Sequence, residues 1–225
     1  MGGVSAAVGR PSRRSDALSR ERIIATAVAI LDADGESALT FRSLAAALAT
    51  GPGAIYWHVA NKDELLAAAT DAIVAGVTAA APADASPHDQ IRTVALGLFD
   101  AIDAHPWIGS HLAREPWQLA SMRIVEAMGS RLTDLGAPAA QHFNVATALA
   151  SYVCGAAAQN AANARSASPD VDRDTALATA ARRWTELDEA EFPFVRRIAA
   201  QLPGHDDREQ FLAGVDLILA GTARP

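Results

Sequence analysis

Boundary signals divide residues 20–77 into short segments, and this division limits the possible fold more than any other feature. Apolar residues recur at helical spacing within each segment, as Ile23, Ala27 and Leu31 do in the first. The signals, in chain order, are Asp34-Gly35, Thr40, the turn Ala49-Thr50-Gly51, Pro52, and Asn61 with Glu64 three residues later. They match a helix C-cap, an N-cap, a sharp turn, a proline at a first helical position and a variant of the capping box. We predict helices over about residues 20–34, 41–48, 52–59 and 61–77.

The rest of the chain also favours helix. Alanine, the best helix former, supplies 53 of the 225 residues, whereas aromatic residues, which favour strands, make up 5%. Further helices are predicted at about 88–104, 106–113, 116–134, 139–163, 173–187, 194–201 and 207–220. The predicted fold class is therefore all-α.

A stretch of small residues with two prolines, Pro82 and Pro87, marks the predicted domain boundary, because each proline disfavours helix in the residue before it. We expect a flexible basic arm over residues 1–19, a helical domain with a connecting helix over 20–78, and a larger helical domain over 79–225. The arm carries Arg10, Arg13 and Arg14, which can neutralise a polyanion or reach into a minor groove.

Several protein classes are disfavoured by what the sequence lacks. Cys154 is the only cysteine, so no internal disulfide can form. Residues 1–16 are basic but lack the apolar run of about 7–15 residues that a secretory signal needs. The longest nearly apolar stretches, such as 65–69 and 153–158, are shorter than the ~18 residues of a membrane-spanning helix. We predict a cytoplasmic protein with no membrane partner.

Charge is distributed unevenly. Residues 1–62 carry seven Arg or Lys and five Asp or Glu, a net charge of +2, whereas residues 63–225 carry twelve and twenty-one, a net charge of −9. A mildly basic amino-terminal part on an acidic body is typical of a protein that presents one end to nucleic acid. Differences of this size also occur in proteins that bind no nucleic acid.

The second and third predicted helices, with the glycine-containing turn between them, form a helix-turn-helix, the unit that places its second helix in the major groove of DNA. Leu44, Leu48, Ile55 and Val59 supply an apolar underside that fixes the angle between the two helices. Polar, aromatic and cationic groups surround it: Thr40, Arg42, Tyr56, Trp57, His58 and Lys62. Tyr56, Trp57 and His58 are adjacent and cannot all face inward on a short helix, so at least one is expected outside.

Lys62 is the only lysine of the chain. It follows Asn61 at the start of the fourth predicted helix, where a phosphate contact is expected. An ordinary solvated surface lysine is the alternative interpretation.

Residues 39–45 (LTFRSLA) and 55–66 (IYWHVANKDELL) resemble the tetracycline-repressor (TetR) family of transcriptional regulators, closely over about residues 20–73. Residues 108–112 (IGSHL) and 210–218 (QFLAGVDLI) resemble the carboxy-terminal domain of the tetracycline-repressor branch. The resemblance implies an all-α homodimer with an amino-terminal three-helix DNA-binding domain and a larger helical domain for ligand binding and dimerisation. It further implies binding to a palindromic double-stranded DNA operator and release when a small-molecule effector binds.

Carried over position by position, the family's DNA contacts fall on Thr40, Phe41, Arg42, Pro52, Gly53, Ala54, Tyr56, Trp57, His58 and Lys62. Pro52, Gly53 and Ala54 depart from the family pattern because they offer no side-chain donor. Base discrimination is therefore expected to depend on Arg42, reading guanine, and on apolar contacts with thymine methyl groups.

An effector pocket is expected where aromatic side chains occur with a few polar groups. The candidates are His105, His111, Trp117, Met122, Phe143, Asn144, Tyr152 and Gln159. For each of them, packing in the core is the alternative role. His111 resembles the histidine that helps to hold a magnesium–tetracycline chelate in the family's namesake branch, but Thr78 and Gln159 replace that branch's histidine and carboxylate. Tetracycline is therefore not expected to be the natural effector.

No cofactor and no metal site are expected. His105 and His111 are six positions apart, which does not place them on one face of a helix.

Two apolar segments, residues 145–162 and 211–219, are expected to form a four-helix interface with a second copy. Two other functions remain open at this stage. Cys154 with a histidine such as His105 would be the best nucleophile pair of an enzyme, although a thiol in this apolar stretch is expected to be inert. A dimeric adaptor or small-molecule-binding protein that binds no DNA is the other alternative.

Overall fold

A computed structural model describes residues 18–166 and 171–222, and these ranges contain helices and no β-strand. Arg10, Arg13 and Arg14 of the predicted arm lie outside the described residues. The α-helices are α1 (Arg20–Asp34), α2 (Phe41–Ala47), α3 (Pro52–Tyr56), α4 (Lys62–Ala79), α5 (Pro87–Ala104), α6 (Trp107–Arg114), α7 (Leu119–Gly129), α8 (Arg131–Asp134), α9 (His142–Ser166), α10 (Arg173–Thr185), α11 (Pro193–Ile198) and α12 (Asp207–Thr222). Two 3₁₀ turns, Ala139–Gln141 and Ala199–Gly204, precede α9 and follow α11. The all-α prediction is confirmed.

Two compact units divide the chain between Ala69 and Thr70, within α4. The boundary that the sequence places after residue 78 separates a DNA-binding part from a part for effector binding and dimerisation. This functional boundary remains a prediction.

In the first unit, the predicted caps begin and end the helices. Gly35, at φ 76°, ends α1 and donates its N–H to the Leu31 carbonyl. Thr40 caps α2 by accepting from the Ser43 N–H at 3.0 Å, while the Ser43 hydroxyl accepts from the Thr40 N–H at 3.0 Å. This reciprocal pair satisfies two backbone donors at the helix start. The predicted N-cap at Thr40 and the predicted C-cap at Gly35 are confirmed.

The turn between α2 and α3 depends on an alanine in a backbone conformation that favours glycine. Ala49 has φ 53°, whereas Gly51 has φ −84°. The Thr50 N–H donates to the Ala45 carbonyl at 3.0 Å and thereby satisfies one of the last carbonyls of α2. The sequence located this turn but not the residue that carries the positive φ.

Helix α3 ends at Tyr56, three residues earlier than predicted. The N–H groups of His58 and Val59 both donate to the Ile55 carbonyl, at 2.9 and 3.1 Å. The chain therefore tightens into a turn after Tyr56 and does not continue the α-helix.

Apolar residues from all the helices of the first unit make its core. The fully or nearly fully buried members are Ile23, Ala27, Leu31, Leu39, Leu44, Ala45, Leu48, Ile55, Val59, Leu65, Leu66 and Ala69. The predicted underside of the helix-turn-helix belongs to this core.

The second unit is built around α5 and α9, which pack against each other, and α7, α8 and α12 pack on both of them. Ile91, Leu98 and Ile102 of α5 and Leu149 and Val153 of α9 are completely buried. A small group, α10 with α11 and the 3₁₀ turn after it, packs chiefly on itself.

Glycines permit close helix approaches in the second unit. A Cβ atom at Gly214 of α12 would lie 2.0 Å from the Tyr152 Oη, and one at Gly109 of α6 would lie 2.9 Å from the Ala158 Cβ. Tyr152 in turn donates its hydroxyl to the Phe211 carbonyl at 3.1 Å. Glycine at these positions therefore sets how closely α12 and α6 approach α9.

The predicted helix 116–134 is two helices, α7 and α8, which meet at Ser130. The Ser130 hydroxyl and N–H both donate to the Glu126 carbonyl, at 2.7 and 3.1 Å. Serine competes for backbone acceptors in this way and disfavours a continuous helix. Among the described residues, no helix is both long and apolar enough to cross a membrane.

Candidate nucleic-acid interface and effector cavities

The helix-turn-helix has a buried side and an exposed side. Leu44 and Ile55 are completely buried and Val59 is 1% exposed, whereas Trp57 is 90% exposed and Tyr56 55% exposed. His58 is half-buried. The expectation that at least one of Tyr56, Trp57 and His58 lies outside is confirmed.

Phe41 and Tyr56 join the two helices on their exposed side. Their rings stack with centroids 4.3 Å apart and planes 6° apart. The first residue of α2 thereby fixes the ring of the last residue of α3, so that the Tyr56 hydroxyl has a defined direction. Thr40, just before Phe41, is exposed, and its side chain is used as the α2 cap.

Arg42 is exposed at the start of α2 and makes no hydrogen bond or ion pair with the described part of the chain. Pro52 and Gly53 are exposed, and Ala54 is half-buried. Pro52, Gly53 and Ala54 therefore present backbone and small apolar groups on α3, and Arg42 on α2 keeps all its donors available.

The connection from α3 to α4 is held by side chains that the sequence did not single out as a network. Asn61 Oδ1 accepts from the Glu64 N–H at 2.8 Å, so Asn61 caps α4 as predicted. Glu64 Oε2 accepts from the N–H of Ala60, one residue before the position that a capping box uses, at 2.8 Å. Glu64 also accepts from Arg20 at the start of α1.

Lys62 has a hydrogen-bond partner within the chain, unlike an ordinary solvated surface lysine. Its Nζ donates to the Glu36 carbonyl at 2.6 Å and ties the start of α4 to the loop between α1 and α2. Lysine has three donors, so two remain for another acceptor.

The predicted effector residues fall in several places of the second unit. Trp117 is 86% and Phe143 77% exposed, Asn144 is exposed, His105 is half-buried and His111 is buried. Met122 lines one groove, and Tyr152 and Gln159 line a separate pocket. The structure does not gather these eight residues around one cavity, and their role in ligand binding remains a prediction.

The groove lies between the second half of α4 and α7 and has a volume of about 680 Å³. Thr78 and Ala75 line it from α4, and Met122, Glu126 and Arg123 line it from α7. The Arg123 Nε donates to Asp71 Oδ1 at 2.6 Å and so connects α7 to α4.

The pocket, of about 220 Å³, lies between α9 and the start of α12. It shares Asn160, Asn163, His205 and Asp207 with a larger cleft of about 1060 Å³ against α10. Asp207 accepts from both His205 and Arg173 there, at 2.9 and 2.6 Å. No sequence signal marks this polar cluster, because its members come from three separate helices and a turn.

Cys154 is half-buried on α9, and burial raises the pKa of its thiol from the ordinary value of 9.0 to about 11. The reactive thiolate is therefore scarce at neutral pH. Within the described ranges, no three His, Cys, Asp or Glu side chains lie close enough together to hold a metal ion.

Large apolar side chains are exposed on α9 and α12, which pack against each other. Phe143 of α9 is 77% exposed and Leu217 of α12 is 75% exposed. On α9 the buried positions Ala146, Leu149 and Val153 face the core, so only part of this segment is buried within one copy.

Two family models together match most of the chain. Residues 23–69 match the bacterial regulatory proteins of the tetR family, and residues 81–224 match the tetracyclin repressor-like C-terminal domain. The match to the second model covers more than half of the chain.

Solved structures and one further relative agree with these matches. A transcriptional regulator of Streptomyces coelicolor, a TetR, is 50% identical with a TM-score of 0.84, over 92% of this chain and 98% of that chain. ActR of the same organism, in complex with actinorhodin, is 26% identical with a TM-score of 0.73, over 91% and 95% of the two chains. An HTH-type transcriptional regulator of Saccharopolyspora erythraea is 32% identical over 107 residues, which are 48% of this chain and 45% of that protein. The matched part thus spans less than half the length of this last relative.

Proposed function

The chain belongs to the TetR family of bacterial regulatory proteins, and from this premise we propose that this ligand-responsive DNA-binding regulator is a dimeric repressor. It acts in the cytoplasm, binds a palindromic operator through α2 and α3, and leaves the operator when a small molecule binds. The observation that carries the proposal is the two-sided helix-turn-helix, with a fully buried underside and with Arg42 and the 90% exposed Trp57 outside.

The residues of this surface divide into three roles at the operator. Arg42 reads guanine, because its fork of donors matches the two acceptors of that base. Thr40, Phe41, Tyr56, Trp57, His58 and Lys62 contact phosphates and sugars and set the register, while Pro52, Gly53 and Ala54 allow the backbone of α3 to approach the bases closely.

The DNA-binding step is tested by fluorescence anisotropy with a labelled duplex taken from the region upstream of the protein's own gene. Binding is expected to weaken as salt rises, with a slope of about 0.9 in log K per phosphate contact. Absence of binding at low salt would favour the adaptor alternative.

A second copy covers the exposed faces of α9 and α12 in the proposed dimer. Phe143 and Leu217 would otherwise leave large apolar groups in water on adjacent helices. Two helices from each copy form a four-helix interface, and twofold symmetry then presents two α3 helices to a palindromic operator.

We place the effector in the groove between α4 and α7. α4 is uninterrupted from Lys62 to Ala79, so a ligand that displaces the groove wall at Thr78 acts on the helix whose first turn adjoins the helix-turn-helix. A ligand that prefers the displaced form lowers operator affinity by its differential affinity for the two forms.

A metabolite library screened by thermal shift identifies effector candidates, because a ligand raises the melting temperature of the form it binds. Met122→Ala should reduce the shift, whereas Gln159→Ala, in the separate α9–α12 pocket, should leave it unchanged. The reverse result would move the effector to that pocket. Magnesium and tetracycline together are expected to produce no tight binding, because Thr78 and Gln159 offer no carboxylate.

Catalysis by Cys154 is not part of the proposed function. At pH 8, a thiol with a pKa of about 11 holds a thiolate fraction about a hundredfold smaller than one at 9.0. Alkylation by iodoacetamide should therefore be about a hundredfold slower in the folded protein than in urea. Equal rates would reopen the enzyme alternative.

A further inference from the structure

One pair of charged side chains holds the end of the recognition helix α3. Glu64 Oε1 accepts from both terminal nitrogens of Arg20 at 3.3 Å, and Glu64 Oε2 accepts from the Ala60 N–H at 2.8 Å. Arg20 Nη1 also donates to the His58 carbonyl at 3.1 Å. The segment that follows α3 is therefore bound at a carbonyl by Arg20 and at an N–H by Glu64.

These bonds satisfy backbone groups in the connection between α3 and α4. α3 ends at Tyr56, so the His58 carbonyl and the Ala60 N–H lie two and four residues beyond it, in a connection that has no helical hydrogen-bond ladder. A guanidinium can bond a carbonyl and a carboxylate at once because its donors form a rigid planar fork. Since Arg20 begins α1 and Glu64 lies in the first turn of α4, the pair fixes the end of α3 against two other helices of the same unit.

Stability alone does not explain this arrangement. The side chains of Arg20 and Glu64 are 46% and 39% exposed, and ion pairs at such positions contribute little to folding. The geometric effect is larger, because α3 has five residues and no side-chain cap at its start. Its direction depends on the buried Ile55, on the Tyr56 ring stack, on the turn from α2 and on how the chain leaves it.

We propose that Arg20 and Glu64 are positioning residues that set the direction of α3, and thereby the base preference of the protein. In this role neither side chain needs to contact DNA. The inference rests on the proposed DNA-binding function and names residues that act on its specificity.

The rival explanation is that Arg20 is a phosphate contact on a mildly basic unit. The two explanations give opposite signs for Glu64. Glu64→Ala removes a negative charge, so electrostatics alone predicts tighter binding to every duplex. Loss of positioning predicts weaker binding to the preferred duplex and no weakening for a scrambled one.

The test uses the full chain and a duplex that the wild-type protein selects from a random-sequence library. Dissociation constants for the selected and a scrambled duplex are measured at several salt concentrations for Arg20→Ala, Glu64→Ala and Arg20→Lys. Arg22→Ala is the matched control, because it removes the same charge from an exposed position two residues further along α1. Circular dichroism and thermal unfolding establish that each variant is folded.

Arg20→Ala and Glu64→Ala should each lower the ratio of selected to scrambled affinity about tenfold, or about 1.4 kcal/mol, with no change in salt slope. Arg20→Lys should retain part of the ratio, and Arg22→Ala all of it. An unchanged ratio with a slope reduced by about 0.9 for Arg20→Ala would overturn the proposal in favour of a phosphate contact. Glu64→Gln replaces any alanine variant that does not fold. If the wild-type protein selects no duplex, the proposed function fails, which is distinct from a failure of this inference.

Discussion

The two units of the chain differ in how their functional residues are specified. In the first unit, the residues predicted to contact DNA lie on or beside a single helix-turn-helix. Arg42 and Trp57 among them are exposed to solvent, as a side-chain contact with DNA requires. In the second, the predicted effector residues are divided among the surface, the interior, a groove and a pocket. A binding surface made by consecutive residues follows from local rules, whereas a cavity follows from the packing of distant helices.

The largest expected effect comes from a substitution in the proposed dimer interface, which α9 and α12 of the second unit are proposed to form. Leu217→Arg puts a charge on an apolar surface that a second copy is proposed to cover. We expect a monomer by analytical ultracentrifugation and at least about a hundredfold weaker operator binding, because two linked contacts become one. Phe194→Arg is the matched control, since Phe194 is 63% exposed on α11, outside the proposed interface. A dimeric Leu217→Arg variant would contradict the assignment of the interface to α9 and α12.

Arg42→Ala tests whether base reading by the first unit depends on the arginine that the sequence predicts to read guanine. Loss of a bidentate guanine contact is expected to weaken operator binding by about 1–3 kcal/mol and to relax sequence preference at one position. Competition assays with duplexes substituted at each position measure both effects. Arg182→Ala removes an equally exposed arginine of α10 and should change neither. Unchanged preference in Arg42→Ala would mean that bases are read elsewhere.

Gly214 of α12 and Gly76 of α4 sharpen the contrast between close packing and open surface. In Gly214→Ala the new Cβ meets the Tyr152 ring, and overpacking of this kind costs about 1–3 kcal/mol. At Gly76 of α4 nothing lies within 4 Å, so Gly76→Ala should add about 0.5–1 kcal/mol of stability. Urea denaturation measures both. Adding Tyr152→Leu to Gly214→Ala should recover part of the loss, and a strictly additive result would exclude the clash as its cause.

A comparably small effect concerns backbone conformation in the first unit. Ala49→Gly relieves a positive φ and should raise the free energy of unfolding by about 1 kcal/mol. Ala46→Gly, three residues earlier and exposed inside α2, should lower it by about 1 kcal/mol. Thermal unfolding followed by circular dichroism compares the pair. Equal destabilisation by both would show that the turn tolerates alanine without strain.

Helix positions were largely predictable because caps act over three or four residues. Thr40 with Ser43 and Asn61 with Glu64 bond within one helical turn, so their spacing is visible in the sequence. The early end of α3 was not predictable. Its turn bonds to the Ile55 carbonyl, and the carbonyl of His58 is bound by Arg20, which lies 38 positions away.

The candidate DNA-binding site was likewise predictable only where residues close in the sequence determine it. The sequence predicted that at least one of Tyr56, Trp57 and His58 is exposed, because three adjacent residues cannot share one face, but not that Trp57 is the most exposed of them. The bond from Lys62 to the Glu36 carbonyl, the Arg20–Glu64 pair and the Asp207 cluster each join separate helices or loops. A single sequence carries no signal for such pairings, because residue spacing reports contacts only within one helix.

The bond from Lys62 to the Glu36 carbonyl has a practical consequence. Because Lys62 is the only lysine of the chain, reagents that acylate lysine side chains have one target, and that target anchors a loop beside the helix-turn-helix. Acetylation there would cancel a positive charge and remove one structural donor in a single event. Mass spectrometry of the one peptide that contains Lys62 would then report the fraction of chains in which this anchor is acetylated.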